Sequence, residues 1–245
     1  MREAKFEVKF ANTPEEIEEV CKLRYEDLVM EYSTTELPAD GNDFSPFDEY
    51  AQHLIVKELA TGKICGYYRM ITSLSAVDGK TFVCEAEYNL DKLKQTGENI
   101  CEFSRAVIKK EFRGGVVLLL MWKFILDYMT ENNFRYLVGD ASFKGTDRER
   151  YREEISYLIN NYCIDPSLEI TSRDKLPPME ISDTSNLDGN EILRRLPPLI
   201  RGYVNVGAKV AAQPFVDFPF GSVDVFILVD LKNCNEAYVQ KLRRV

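Results

Sequence analysis

Polar and apolar residues alternate over "AKFEVKFA" (4–11), the period of a β-strand with one face buried. The next stretch, "NTPEEIEEVCKLRYEDLVMEY", changes period. Ile17, Val20, Cys21 and Leu28 recur at helical spacing, Thr13 is placed to cap the helix, Pro14 takes its first turn and acids follow. Arg24 lies on that apolar stripe. Either its stem snorkels along the edge, or its guanidinium enters a cleft and meets a carboxylate or a substrate. Residues 32–51 lose all periodicity and read as a long polar loop, of the kind usually kept for function or mobility.

"HLIVKEL" and "ICGYYRMITS" predict two strands joined as an antiparallel hairpin by "ATGK", with Arg69 inside the second. Residues 74–99 give an irregular excursion with a short strand and a short helix. Strand, turn, helix and strand follow over 100–140, a parallel βαβ unit. An amphipathic helix is expected at 147–162, and an irregular insertion rich in proline and acid at 165–190. The last third supplies a helix and two strands, the second strongly apolar. This order predicts a mixed α/β (α+β) chain, read as one domain over 1–245 with irregular insertions near 74–99 and 165–190.

The strand "ICEFSRAVI" puts charge where apolar residues belong. Simple alternation sets Ile100, Glu102, Ser104, Ala106 and Ile108 on one face and Cys101, Phe103, Arg105 and Val107 on the other. A strand feeding a buried helix is covered on both faces, so Glu102 and Arg105 are costly unless paired or lining a wet pocket. A β-bulge near Glu102–Ala106 would bring them to one side. Beyond the strand, "KKEFRGG" turns into a helix apolar on all sides, whose first amides need an acceptor and favour an anion. Gly114 and Gly115 let a ligand approach the backbone, while Arg113, Lys109 and Lys110 add positive charge. Strand, basic turn and helix together mark a phosphate site.

Composition narrows the chemistry. The single histidine, His53, makes a zinc site or a serine–histidine triad improbable, and no metal site is expected. A net charge of −9 argues against nucleic acid as a partner. The six cysteines form no CxxC pair, and "MREAKFEVKF" has no signal-peptide pattern. The expectation is a cytoplasmic protein with reduced cysteines, placed at most peripherally at the inner face of the membrane. The longest apolar segment, Val116–Met129, is interrupted by Lys123 and Asp127 and reads as a core helix.

A strand followed by a basic glycine turn into a helix resembles the acyl-carrier-binding segment of the GNAT acyltransferase superfamily. More narrowly, "LRYEDLVMEY", "FDEYAQHLIV", "GYYRM", "EFSRAVIKKEFRGG" and "LPPLIRGYVNVGAKVAAQPFVDFPFGSVDVFIL" resemble the ornithine-lipid (hemolysin-like) N-acyltransferase branch. The layout is also similar to acyl-homoserine-lactone synthases, though Ser45 stands where those carry a second aspartate and Leu28 where they carry a phenylalanine. The resemblance implies a three-layer fold with a central, mostly antiparallel twisted sheet containing one parallel βαβ unit, flanked by helices. It implies transfer of a fatty acyl group from acyl carrier protein, or from acyl-coenzyme A, to the α-amine of an amino acid such as ornithine. No tightly bound cofactor is implied. The alternatives are a lactone-type signal synthase and a non-catalytic module that binds acyl carriers.

Arg24, Asp48, Arg69, Glu102 and Arg105 match the functional positions shared by these families, with Ser104 beside them. Glu102 is the expected base, directly or through a water, once desolvation raises its pKa. Arg105 would oppose that rise, so it is expected to organise the site by pairing with Asp48. Arg113, Gly114, Gly115, Lys109 and Lys110 would hold the phosphate. The general acid is left open between Tyr151, Tyr157 and others. "VAAQPFVDFPF" reads either as core or as the wall of an acyl tunnel.

Overall fold

Where apolar residues alternate or run unbroken, backbone groups leave water and must find partners within the chain. The computed structural model describes residues 5–33 and 41–244. In it the chain runs through β1 (Phe6–Phe10), α1 (Pro14–Arg24), α2 (Met30–Tyr32), β2 (Gln52–Glu58) and β3 (Ile64–Thr72). Next come β4 (Tyr88–Asn89), α3 (Asp91–Gln95), β5 (Ile100–Ile108), α4 (Val117–Glu131), β6 (Tyr136–Lys144), α5 (Arg152–Tyr162) and β7 (Thr171–Ser172). It ends with α6 (Gly189–Arg195), α7 (Pro198–Val206), β8 (Lys209–Val210), β9 (Phe215–Asp217), β10 (Ser222–Asp230) and α8 (Glu236–Leu242). The main sheet has the order β1-β2-β3-β5-β6-β10-β8, with β9 also beside β10. Its one parallel pair is β5–β6, joined by α4, since parallel neighbours need a crossover. The 74–99 and 165–190 segments meet in the small β4–β7 sheet.

The two faces of the sheet are covered differently. On one, Met70, Phe103, Leu137, Ala141, Val225 and Ile227 pack against Met121, Trp122 and Ile125 of α4 and Tyr203 of α7. On the other lie two separate apolar clusters. Val20 and Leu23 of α1 pack on Ile55, Tyr67 and Val107, while Phe82 and Tyr88 pack on Ile71, Ile100, Val138 and Phe226. Charged side chains occupy the seam between them. No helix among the described residues is long and apolar enough to cross a membrane.

Three elements depart from the periodicity reading. The first helix passes through a π-helical turn at Tyr25–Val29, which rotates its later residues so that Asp27 and Val29 are buried and Leu28 only half-buried. The one helix expected in the last third is α7, and α6 precedes it; the two are separated at Pro197–Pro198, where proline's missing N–H and ring end α6. The last third holds three strands because β8 and β9 are too short to show a period.

β5 departs from both neighbours. Against β3 the register runs from Tyr67↔Val107 to Arg69↔Ser104, two steps against three, so β5 carries one extra residue. Arg105 there adopts φ 56°, the left-handed region that non-glycine residues seldom occupy. Against β6, pairing stops at Glu102↔Val138. The two backbones touch once more, at Gly139, where a Cβ would lie 2.3 Å from the Phe103 carbonyl oxygen. They then part. Gly139→Ala is therefore expected to cost about 1–3 kcal/mol, because the obstacle is backbone that cannot rotate away. Thermal unfolding checks this, and an unchanged midpoint would mean that β5 has room to shift.

Candidate active site

The seam begins with two of the largest fully buried side chains, Arg24 and Arg69 at 0% and 1% exposure. Arg24 leaves the last turn of α1, at the entry to the π-helical turn, and meets the loop before β2. Its Nη1 and Nη2 donate to Asp48 Oδ1 and Oδ2 at 2.7 and 3.1 Å, the fork matching a carboxylate. Its Nε donates to Asp43 Oδ2 at 2.8 Å, and Nη2 also reaches the Asp43 carbonyl. Arg24 thus enters a cleft to meet carboxylates. Ser45 accepts from Arg69 Nη1 at 2.9 Å and donates to Asp48 Oδ2 at 3.1 Å. A second carboxylate on Arg24 comes from Asp43, which periodicity did not mark. Behind them, His53 Nδ1 lies 2.9 Å from Tyr67 Oη, and burial pushes its pKa down. Burial also favours neutral Asp48, but the hydrogen bond and charge of Arg24, with Arg69, outweigh it and hold the carboxyl at about 2.

The bulge in β5 aims the next residues at this seam. Because one residue is added, Glu102, Ser104, Arg105 and Val107 share one face, while Phe103, Ala106 and Ile108 pack on the opposite one. Simple alternation had Arg105 and Val107 opposite Glu102. Ser104 Oγ accepts from Arg69 Nε at 3.1 Å. Arg105 pairs with Asp43 (Nε–Oδ2 3.5 Å) and not with Asp48, whose oxygens are taken by Arg24, Arg69 and Ser45. Its guanidinium carbon sits 5.1 Å over the Phe220 ring, which in turn stacks on Tyr32. Glu102 is 0% exposed, and its two oxygens accept from Val83 N (2.9 Å) and Cys84 N (2.7 Å) in the 3₁₀ turn Val83–Ala86. Burial raises its pKa, opposed by the hydrogen bonds from that turn.

Beyond Glu102 the seam turns acidic with residues the sequence reading did not select: Glu87, Asp140, Asp217 and Asp224. One oxygen each from Glu87, Asp217 and Asp224 lie within 4.8 Å of one another, close enough to hold a cation. Glu87 Oε2, Asp140 Oδ1 and Asp224 Oδ1 are buried without a hydrogen-bond partner. Burial, then mutual repulsion, pushes Glu87 up to about 9 and Asp140 well above the carboxylate range. Burial likewise brings Asp224 up to about 6. The signal was legible: "VGDAS" and "VDVFILVD" set carboxylates into apolar strands, as "CEFSRA" does.

At the other end of β5, Gly114 has φ 75° and open space on its Cβ side. α4 then starts from Val116 with no side-chain cap, leaving its first amides without a side-chain acceptor. Arg113 is tied into the protein: Nε donates to the Ile108 carbonyl, Nη2 to the Asp27 carbonyl and Nη1 to Glu31, each at 2.9 Å. Lys109 pairs with Glu111 at 3.0 Å. The Lys110 side chain is 66% exposed, 3.9 Å from Asp27. Tyr151 Oη donates to the Lys144 carbonyl at 2.6 Å.

Known proteins share parts of this sequence and this fold. Residues 23–123 match the family model of the acetyltransferase (GNAT) domain. An L-ornithine N(alpha)-acyltransferase of Rhodobacter capsulatus is 28% identical over 95% of this chain and 93% of its own length. Its namesake from Agrobacterium fabrum is 25% identical over 95% and 83%. FeeM, an N-acyl amino acid synthase from uncultured soil microbes, has the same fold, with a TM-score of 0.53 over 93% of this chain and 92% of that one at 9% identity. The CoA-dependent acyl-homoserine lactone synthase BjaI gives 0.54 over 94% and 82% at 11% identity.

Asp48→Asn leaves two buried arginines short of a counter-charge and is expected to cost about 3–5 kcal/mol, read by urea unfolding at neutral pH. Because Asp48 titrates lower in the folded than in the unfolded chain, its contribution is present above pH ~4 and is lost as pH falls through about 2. The gap between wild type and variant should therefore narrow on acidification. A gap independent of pH would remove the ion network as its cause.

Proposed function

We propose, from the match of residues 23–123 to the acetyltransferase (GNAT) domain model, that the chain moves a fatty acyl group from a phosphopantetheine thioester to the α-amine of an amino acid. Ornithine is the acceptor that the relatives' names give. The observation that supports this most is the course of β5. It leaves β6 after Glu102, bulges at Arg105 toward a buried charged seam, and runs on to the uncapped start of α4. Such a path links a place for an acyl carbonyl to a place for phosphate.

The reaction needs a neutral amine, a held carbonyl and a stabilised oxyanion. The acceptor ammonium loses a proton, its nitrogen attacks the thioester carbonyl, the C–N bond forms and the C–S bond breaks. The nitrogen's second proton passes to the departing thiolate, directly or through a water, leaving amide and thiol. Glu102 is the base: burial raises its proton affinity, and each oxygen keeps a lone pair beyond the amide bond it accepts. It works directly or through a water. Unpaired backbone amides where β5 leaves β6 would hold the oxyanion. Arg105 faces the acceptor. Arg24, Asp48, Arg69 and Ser104 act by holding the bulge and, through it, the substrate surface.

The amides after Gly114 and Gly115 receive the phosphate, with Lys109 and Lys110 as a positive rim and Arg113 bracing the turn against the first helix. The donor is acyl carrier protein or acyl-coenzyme A. An acidic carrier protein would dock against this rim. The long-chain product partitions into lipid, so membrane contact is peripheral.

Mass spectrometry of products made by the purified chain from ornithine and each acyl thioester tests the reading. N-acyl amino acid is expected, the better donor identifies the carrier, and short lactones or no transfer would overturn it. With Glu102 as base, kcat rises with pH through its raised pKa. Glu102→Gln is expected to lower kcat by roughly 10²–10⁴-fold and to abolish the acidic limb of the pH–rate profile. A limb that persists in the variant assigns the base to another group.

A further inference from the structure

We propose that Glu87, Asp140, Asp217 and Asp224 form a subsite for a second ammonium on the acceptor, so that the enzyme prefers a dibasic amino acid to its neutral analogue. This rests on the N-acyltransferase reading above and deepens it by assigning the acceptor's chemical class.

The four carboxylates come from different parts of the chain: Glu87, Asp217 and Asp224 bring oxygens within 4.8 Å of one another, and Asp140 lies within their electrostatic reach. Asp140 lies two residues beyond Val138, the last β6 residue paired with β5, so it stands at the opening where the strands part. Asp224 of β10 is opposite Ser142 of β6 and Phe215 of β9, and Asp217 is opposite Ser222. Glu87 arrives just before β4, after the turn whose amides hold Glu102. Asp224 shares its sheet face with Phe226, in the same cluster as the Ile100 and Val138 that flank Glu102. The acids therefore lie beside the proposed base on the acceptor side of the sheet.

Among the described residues none of the four makes an ion pair with a lysine or arginine, in contrast to Asp43 and Asp48 at the other end of the seam. Asp224 is 97% buried by its 3% exposure; one oxygen accepts from Ser222 Oγ at 2.8 Å, and Oδ1 has no partner. Glu87 Oε2 and Asp140 Oδ1 are the other orphans. Buried acceptors without donors are costly and call for a ligand that brings the donors. Glu87, Asp217 and Asp224 each offer an oxygen to one place, and three acceptors match the three N–H donors of a primary ammonium. The upward shift of Glu87 and Asp224 describes the same shortage of positive charge. Arg105, on the same face, offers its guanidinium to a carboxylate, so the site holds opposite charges suited to the two ends of a zwitterion with a cationic side chain. A divalent ion would complete its shell with water around the same three carboxylates, so it is the competing occupant that the test includes.

The test compares ornithine with norvaline, which has the same carbon skeleton without the terminal amine, in acyl transfer by the full chain with one long-chain acyl thioester. Ornithine is expected to exceed norvaline in kcat/KM by about tenfold or more, the equivalent of about 1.4 kcal/mol. Asp224→Asn should collapse that ratio mainly through the KM for ornithine. Asp217→Asn, at a half-buried position, serves if Asp224→Asn does not fold. Equal use of the two amino acids by the wild type overturns the subsite while leaving acyl transfer standing. No transfer to any amine overturns the underlying reading instead. Calorimetric titration with Mg²⁺ and Ca²⁺ alone adds the last arm: tight divalent binding that ornithine displaces would reassign the carboxylates to a metal.

Discussion

β5 carries one residue more than its ladder with β3 can hold, and the charged seam depends on that excess. The extra residue puts Arg105 in a left-handed conformation at a cost of order 1–3 kcal/mol and turns Ser104 and Arg105 toward the face that Glu102 already occupies. Without it, Arg105 would point into the apolar layer under α4. Pairing of β5 with β6 ends at Glu102↔Val138, beside these groups, so the sheet is not closed by a continuous ladder there.

Keeping that strand in place requires support from behind. Arg69 bonds Ser104 on the bulge, Asp48 bonds Arg69 and Arg24, and Arg24 anchors them to α1 where a π-helical turn interrupts it. The network is buried, so each member is costly alone and stable only in company. The acidic end of the seam lacks this internal compensation. One half of the seam is balanced by the protein itself, and the other half is the subsite proposed for the acceptor's second ammonium.

Much of this was visible in the residues. Arg24 on an apolar helical stripe, Arg69 in a strand and Glu102 and Arg105 in a buried one each broke a pattern, and each proved to belong to the seam. The bulge followed from the cost of burying opposite charges on opposite faces. The same signal in "VGDAS" and "VDVFILVD" would have found Asp140 and Asp224. Asp43 and Ser45 had no such mark, because a polar residue in a polar loop breaks no pattern. Nor could Arg113 be read as tied to Glu31 and the Asp27 carbonyl, since that contact depends on how the first helix lies across the turn.

By itself the sequence determined where the long strands and helices lie, that β5 and β6 form a parallel pair, and that Arg24, Arg69, Glu102 and Arg105 are too polar for where periodicity puts them. These depend on local spacing and on the cost of burial, both properties of neighbouring residues. Tertiary structure alone decided the partners: Arg105 with Asp43, Glu102 with the amides of Val83 and Cys84, and Glu87, Asp217 and Asp224 from distant segments with oxygens within 4.8 Å of one another. Pairing energy falls within a few ångströms, and which groups come that close is settled only when the whole sheet has closed its register.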